Sequence, residues 1–421
     1  MALRQSPRKR HDVGLHSTRC RRARFVASTL RDPHIPLRLT TFTFAYPGVP
    51  AERRADLALV GEAVAHAHNL LRGEGVEAFV LSTCLRVELA VVGDEGTARK
   101  ALGVLYDDAD GLSDLAAIRH DEDGFLHLCR VAAGLESPVV GELEVLGQFR
   151  SAVAAFAGAH PGSPLKAILD SAVGVARAAR RRSNVSPRGS LAAIAAREVS
   201  RFGRVAIFGA GAMARAAADE LAEAEVTVFS RRPQRMTRHA TRSWEEAFDA
   251  LAAFPAVVST VPGSEEPFPS DRVSEALAFR RRPLVLVDLG MPPAFRHLPE
   301  TPLLEHLTID DVADLADSLA APDLEASVAE EAQKTWSRLS APDRARTVIA
   351  EMVDQAESAV DEEVSRFAGR LHSADDPEEV LRQTARTVAR RILHGPISYI
   401  NDSARKPGAL DVLAEAFGVD R

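Results

Sequence analysis

Aromatic residues make up only 5% of the 421-residue chain, with two Trp and three Tyr. Base stacking on aromatic platforms cannot therefore be a major theme. There are three cysteines, Cys20, Cys84 and Cys129. They are too few for a disulfide framework, which points to a reducing compartment and lets each thiol be judged singly. No uncharged apolar run approaches the roughly 20 residues of a membrane-crossing helix. Internal repeats are also absent. What remains is a chain of globular proportions, 46% hydrophobic and 26% charged, long enough for two or three domains.

The formal net charge of -7 is unevenly spread. Residues 1–38 hold ten Lys and Arg against Asp12 and Asp32, so the remainder is strongly acidic. A bulk acidic chain is not an obvious nucleic-acid binder, and contact with RNA would need a local patch or the leader itself. The leader lacks the apolar core of a secretory signal. A disordered extension, an over-long start, a transit peptide and a basic arm all fit it.

Globular text begins near residue 39. Leu39–Ala45 alternates like a strand, Arg53–Arg72 has helical spacing, and β-rich Ala78–Leu81 and Val87–Val92 flank Ser82-Thr83-Cys84. Gly124 to Val153 reads as largely helical, as does Leu165–Arg181 up to a Ser186–Gly189 turn. Strands then alternate with helices: Val205–Phe208, Ala256–Val261 and Leu284–Leu289 are short apolar strands, and helix Ala212–Ala222 leads to strand Val226–Phe229. This order implies a parallel sheet with crossover helices. Beyond residue 322 the strands stop. Ile349, Val353, Ala356, Val360, Val364, Phe367 and Leu371 form one long apolar stripe, and Asp376-Pro377-Glu378-Glu379 starts a second helix.

Gly209-Ala210-Gly211-Ala212-Met213-Ala214 follows a strand and opens a helix. Gly209 permits the tight turn, Gly211 lets backbone N–H groups approach a pyrophosphate, and Ala214 stands at the third glycine position. An NAD site ends its second strand with a carboxylate for the ribose 2′-OH. Here Ser230-Arg231-Arg232 stands instead, which favours the 2′-phosphate of NADPH.

Cys84 follows an apolar strand and precedes Arg86, whose charge is expected to lower the thiol pKa. Spacing alone leaves a buried structural cysteine and a nucleophile both open. A second segment, His127–Gln148, contains His127-Leu128-Cys129-Arg130-Val131-Ala132 and Ser137-Pro138-Val139-Val140-Gly141-Glu142-Leu143-Glu144-Val145-Leu146-Gly147-Gln148. It resembles a characteristic stretch of the glutamyl-tRNA reductases. Ser82–Glu88 resembles that family's STCNR-x-E motif. Val287-Asp288-Leu289-Gly290-Met291-Pro292 and Leu393-His394-Gly395-Pro396 extend the resemblance in the same order, over roughly residues 70 to 400.

The resemblance implies a multidomain α/β protein: a catalytic glutamyl-tRNA-binding domain over 39–185, a Rossmann NADPH domain over 186–321 and a helical dimerisation domain over 322–421. It implies a cytoplasmic homodimer that reduces glutamyl-tRNA(Glu) to glutamate-1-semialdehyde for tetrapyrrole synthesis, with possible handover to an aminomutase. Cys84 would be the nucleophile, since a thiolate can expel the tRNA and leave a thioester that accepts hydride more readily. His127 would assist, through proton transfer or leaving-group contact. Thr83, Cys84, Leu85, Arg86, Ser137, Glu142, Leu143, Glu144 and Gln148 occupy substrate positions. Arg86 would pair with the glutamate carboxylate and Glu142 with the ammonium, the structural alternative being an Arg86–Glu142 pair. Gly209–Ala214, Ser230 and Arg231 would hold the cofactor. The chemistry requires no metal. Cys129 reads as core, and Arg177, Arg180, Arg181 and Arg182 as a basic surface for tRNA.

Three features depart from the family pattern. Leu85 replaces an asparagine, Leu143-Glu144 replaces Pro-Gln, and Phe44–Pro50 matches the N-terminal family stretch poorly. They keep two rivals open: a non-catalytic or altered-substrate paralog, and an NADPH oxidoreductase acting on a free small molecule.

Overall fold

A computed structural model describes residues 37–183, 189–231, 238–265, 267–316, 320–371 and 376–403. The leader up to residue 36, most of the Ser186–Gly189 turn and Arg232 lie outside the described residues, as do the side chains of Leu143, Ile349, Val353 and Leu371. The described residues fall into two compact units, 37–339 and 340–403.

The first unit carries two sheets. In the first sheet, β1 (Leu39–Ala45), β2 (Ala78–Ser82), β3 (Arg86–Val92) and β4 (Ala117–His120) form an antiparallel array in the order β2-β3-β1-β4. Both faces are covered, and the period-2 alternation assigns each side chain to one of them. Phe42, Phe44, Ala78, Val80, Val87, Leu89 and Val91 enter a core closed by the helices between residues 51 and 115. Leu39, Phe79, Leu81 and Ala90 enter the other, closed by helices Asp121–Ala133, Leu143–Ala159 and Pro164–Ser183. Glu88 shares the register of Ala90, so this carboxylate is driven to the second face and is fully buried.

In the second sheet, β5 (Arg204–Phe208), β6 (Glu225–Phe229), β7 (Ala240–Arg242), β8 (Ala256–Ser259), β9 (Leu284–Asp288) and β10 (Leu304–Thr308) are all parallel, in the order β10-β9-β8-β5-β6-β7. That is the doubly wound order, with its switch point between β5 and β8. The expected strands are present, and β4, β7 and β10 are additional.

Two helical expectations are corrected. Arg53–Arg72 is two helices, Ala51–Leu57 and Glu62–Gly73, interrupted by Gly61 at φ +61. Gly124–Val153 is also two, because Gly134 ends the first helix in the left-handed conformation at φ 77. A Cβ there would lie 3.0 Å from the Glu142 carbonyl oxygen. The chain folds back on itself from Gly134 to Glu142, and Gly141 N–H donates to the Gly134 carbonyl at 2.9 Å.

Helix Pro322–Leu371 begins by laying Leu324, Val328, Ala332 and Trp336 on the first sheet's second core, where Trp336 stacks on Phe125. In the second unit, Asp376 caps helix Pro377–Ser403 by accepting from the N–H groups of Glu378 and Glu379. Arg391 there bonds Glu362 at 2.7 Å and Glu363 at 3.0 Å. Val360, Val364, Leu381, Ile392, Leu393 and Ile397 are exposed. No helix among the described residues is long and apolar enough to cross a membrane.

Candidate functional site

The loop between β2 and β3 carries Cys84, and the Gly134–Glu142 turn carries Ser137 and Glu142 to the same place. Thr83, Cys84, Leu85, Arg86, Ser137, Glu142, Glu144, Val145 and Gln148 line one pocket. Its remaining wall comes from the second sheet's half of the unit: Leu191, Ala192 and Met213. The space left for solvent is about 20 Å³, room for about one water.

Arg180 holds the turn in place. It donates to the carbonyls of Ala133 at 2.8 Å and Gly141 at 2.7 Å. Arg182 bonds Glu331 and Ser327. Arg180 is therefore an internal fastener, while Arg177, Arg181 and Arg182 are exposed, the last ion-paired with Glu331.

Arg86 does not pair with Glu142. Its Nη1 donates to Glu88 Oε1 at 2.8 Å and its Nη2 to the Glu136 carbonyl. Glu142 instead accepts from Ser137 Oγ at 2.8 Å. His127 is not part of the pocket lining. Its Nε2 lies 3.0 Å from Glu88 Oε2 and 2.9 Å from Thr43 Oγ1, between the sheet and the helix covering it. Thr43 Oγ1 also donates to Glu88 Oε2 at 2.6 Å. The buried carboxylate thus joins Arg86 to His127. Burial alone would raise the Glu88 carboxyl, but the charge and hydrogen bond of His127, with Arg86 and Thr43, outweigh it and hold it at about 2.

The thiol is not lowered by Arg86, contrary to expectation. Burial, then the charges of Glu142 and Glu144, push Cys84 up to about 12, and the Arg86 charge is already matched by Glu88. Burial raises the Glu142 and Glu144 carboxyls too, and Glu144 adds to the rise at Glu142. Cys129 is fully buried in the core. Leu85 is 5% exposed and packs with Val139, Leu191 and Ala192 in the second sheet's core. Where the family has an amide, this chain has an apolar contact between its two sheets' halves.

The Gly209–Ala214 turn leaves β5 at the switch point. Gly209 has φ +113, and a Cβ there would lie 2.4 Å from Thr260 Oγ1. Gly211 caps helix Ala212–Glu220 without any side-chain hydrogen bond, and nothing lies within 4 Å of where its Cβ would be. Ala214 is buried against the sheet. Free N–H groups at a helix start beside an open, side-chain-free approach fit a pyrophosphate. Ala210 is buried and Met213 is half-buried, reaching the thiol pocket. Ser230 is buried at the end of β6, with exposed Arg231 after it. Asp288 ends β9 and accepts from Gly290 and Phe295 N–H, both at 3.0 Å.

The matches to known proteins follow the same layout. Residues 43–183 match the glutamyl-tRNA(Glu) reductase N-terminal domain, 192–315 the shikimate/quinate 5-dehydrogenase family, and 323–419 the glutamyl-tRNA(Glu) reductase dimerisation domain. A glutamyl-tRNA reductase of Kineococcus radiotolerans is 32% identical over 376 residues, 80% of this chain and 83% of that one. This chain belongs to the glutamyl-tRNA reductase family. A second member of the family, from Anaeromyxobacter, is 30% identical over 76% of this chain and 81% of its own. A solved glutamyl-tRNA reductase from Methanopyrus kandleri is 22% identical, covering 84% of this chain and 93% of that one, at a TM-score of 0.37.

Glu88 and Thr43 were not anticipated as site residues. Glu88 left a signal in the sequence, since a carboxylate inside an otherwise apolar strand needs buried partners, whereas Thr43 left none. Leu191, Ala192 and Met213 as pocket wall had no such signal, because the contact joins segments over a hundred residues from Cys84.

Proposed function

We propose that this chain reduces the aminoacyl ester of glutamyl-tRNA(Glu) to glutamate-1-semialdehyde, the entry to 5-aminolevulinate and tetrapyrroles. The observation that carries the reading is the shared pocket: Cys84 shares it with Met213, from the helix that opens with the Gly209–Ala214 turn, and with Leu191 and Ala192 of helix Leu191–Val199.

Cys84 Sγ bonds to the ester carbonyl carbon. The C–O bond to the terminal ribose breaks, and the ribose oxygen takes the proton lost by the thiol. NADPH, when bound, would supply hydride chemistry there, the thioester carbon becoming an aldehyde and Cys84 regaining its thiolate. Gly209, Ala210, Gly211, Ala212, Met213 and Ala214 would hold the pyrophosphate, and Ser230 and Arg231 the 2′-phosphate. Thr83, Leu85, Ser137 and Gln148 surround the aminoacyl group, and Leu143 is assigned to it by family resemblance alone. Arg86, aimed by Glu88, faces its carboxylate, and Glu142 and Glu144 its ammonium. His127 acts through Glu88 rather than on the thiol.

The domains divide these roles as 39–185 for aminoacyl-tRNA, 186–321 for nucleotide and 322–421 for pairing of two copies, with 1–38 a basic leader outside them. The exposed apolar residues of the second unit support a homodimer. The setting is the cytoplasm, consistent with so few cysteines, and a reactive aldehyde product favours handover to an aminomutase.

One observation favours a non-catalytic paralog: a thiol pushed up to about 12 is a poor nucleophile at neutral pH. NADPH oxidation that depends on glutamyl-tRNA decides between the two. Wild type should turn over and release the semialdehyde, and Cys84→Ser should lose at least about a thousandfold in rate. Binding of both ligands without aldehyde would establish the paralog.

A further inference from the structure

The pocket holds a charge imbalance that the family pattern does not contain. Two carboxylates, Glu142 and Glu144, line it beside Cys84. Glu142 is 8% exposed and has only the neutral Ser137 hydroxyl as partner. Glu144 is the family-divergent residue, and among the described residues its carboxylate has no hydrogen-bond or ion-pair partner.

The cations nearby offset them only in part: the Arg86 charge counters some of the rise at Glu142 without bonding to it. Arg86, on β3, is bonded to Glu88. Arg54, on helix Ala51–Leu57, is ion-paired with Asp310. Thr83, Ser137, Gln148, Leu191, Ala192 and Met213 complete the wall without charge. The pocket is therefore anionic and only partly matched, and it holds a thiol that must become an anion to react.

We propose that Glu142 and Glu144 together seat the α-ammonium of the incoming aminoacyl ester, and that this seated cation is what lets Cys84 become a thiolate. The inference rests on the reading of Cys84 as the nucleophile and specifies how it is controlled. In the empty pocket two negative charges oppose a third. An ammonium between them cancels the opposition at the moment a reactive ester is in reach. Attack then forms the Sγ–C bond, the ester C–O bond breaks, and the thiol proton ends on the departing ribose oxygen. An empty enzyme would keep an inert thiol, protected from oxidation and alkylation. The seat also selects substrate: an N-acylated aminoacyl ester lacks the cation and would leave the thiol off.

The test uses two unreactive probes, glutamic acid α-amide and its N-acetyl derivative, which differ only at the ammonium. The ultraviolet thiolate absorbance of the full-length protein is titrated against pH, with Cys84→Ser as the baseline. The α-amide should lower the apparent thiol pKa by about one unit or more, and the N-acetyl compound should not. Glu144→Gln, nearly isosteric, should titrate lower than wild type when empty, show a smaller shift with the α-amide, and bind it about tenfold more weakly. Identical curves with both probes, or a Glu144→Gln variant matching wild type in titration and affinity, would overturn the proposal. Neither readout needs tRNA or nucleotide. Turnover without the shift would sink the seat alone, and the shift without turnover would sink the reaction alone.

Discussion

Glu88 shows how much one side chain can organise. Strand register drives it into the interior, where it takes hydrogen bonds from Arg86 and Thr43 and lies against His127. A buried carboxylate of this kind stabilises only while its partners remain, because removing one leaves an uncompensated charge. Glu88→Gln should therefore cost about 3 kcal/mol or more in chemical denaturation, and should raise KM for glutamyl-tRNA more than it lowers kcat as Arg86 loses its aim. Its folded pKa of about 2 lies below the ordinary 4.5. The stability it contributes is present above pH 4.5 and is lost as pH falls toward 2, so the variant should lack that acid-side loss. The motif in the sequence contained this glutamate, and its place in an apolar strand marked it as needing partners, but spacing did not say which residues those were. Cys84, Arg86, Glu142 and Gln148 were legible as a group, and the structure does bring them to one pocket. The sign of the thiol shift was not, because it depends on Glu88 neutralising Arg86 and on the depth of burial.

Among the elements, the Gly134–Glu142 turn does most to build the pocket. Apolar spacing runs through it without interruption, so periodicity alone reads one long helix. The glycines at 134 and 141, both at positive φ, were the contrary signal. Gly134→Ala would place a Cβ 3.0 Å from the Glu142 carbonyl in a left-handed conformation. It should cost about 1–2 kcal/mol and disturb the Ser137–Glu142 pair, seen as a lowered melting temperature together with a raised KM. Gly147→Ala is the control: it lies in helix Leu143–Ala159 with nothing within 4 Å of a Cβ, and should be neutral or stabilise by up to about 1 kcal/mol. The strands of the second sheet were far easier to read, since a parallel sheet covered on both faces yields short unbroken apolar runs. The three strands that went unseen, β4, β7 and β10, lie at sheet edges and are more polar, with His120, Arg242 and His306 in them.

At the scale of the molecule, the two sheets of the first unit are fastened together at more than the pocket. Arg54, 1% exposed, reaches Asp310 of the nucleotide half, and Tyr46 donates to Asp314 on the same helix. Asp310→Ala would strand a buried guanidinium and should cost about 3–5 kcal/mol, measured as an earlier denaturant midpoint, while Asp314→Ala, at an exposed contact, should cost under about 1 kcal/mol. Such fasteners join residues more than 250 positions apart, a distance over which one sequence carries no pairing signal. Chain-level charge proved equally indirect: of the expected basic run, Arg180 is committed to internal carbonyls and Arg182 to a surface ion pair with Glu331.

The narrowness of the thiol pocket has a chemical corollary. A thioester has two competing fates, capture of hydride and capture of water, and only the first conserves the energy of the acyl bond. In the proposed reaction, with solvent space of about 20 Å³, an acyl group on Cys84 would displace the volume a hydrolytic water would occupy. The wall that excludes it is formed by Leu191, Ala192 and Met213, beside the nucleotide turn. In the proposed reaction, one set of side chains would both keep the intermediate dry and hold it near its reductant.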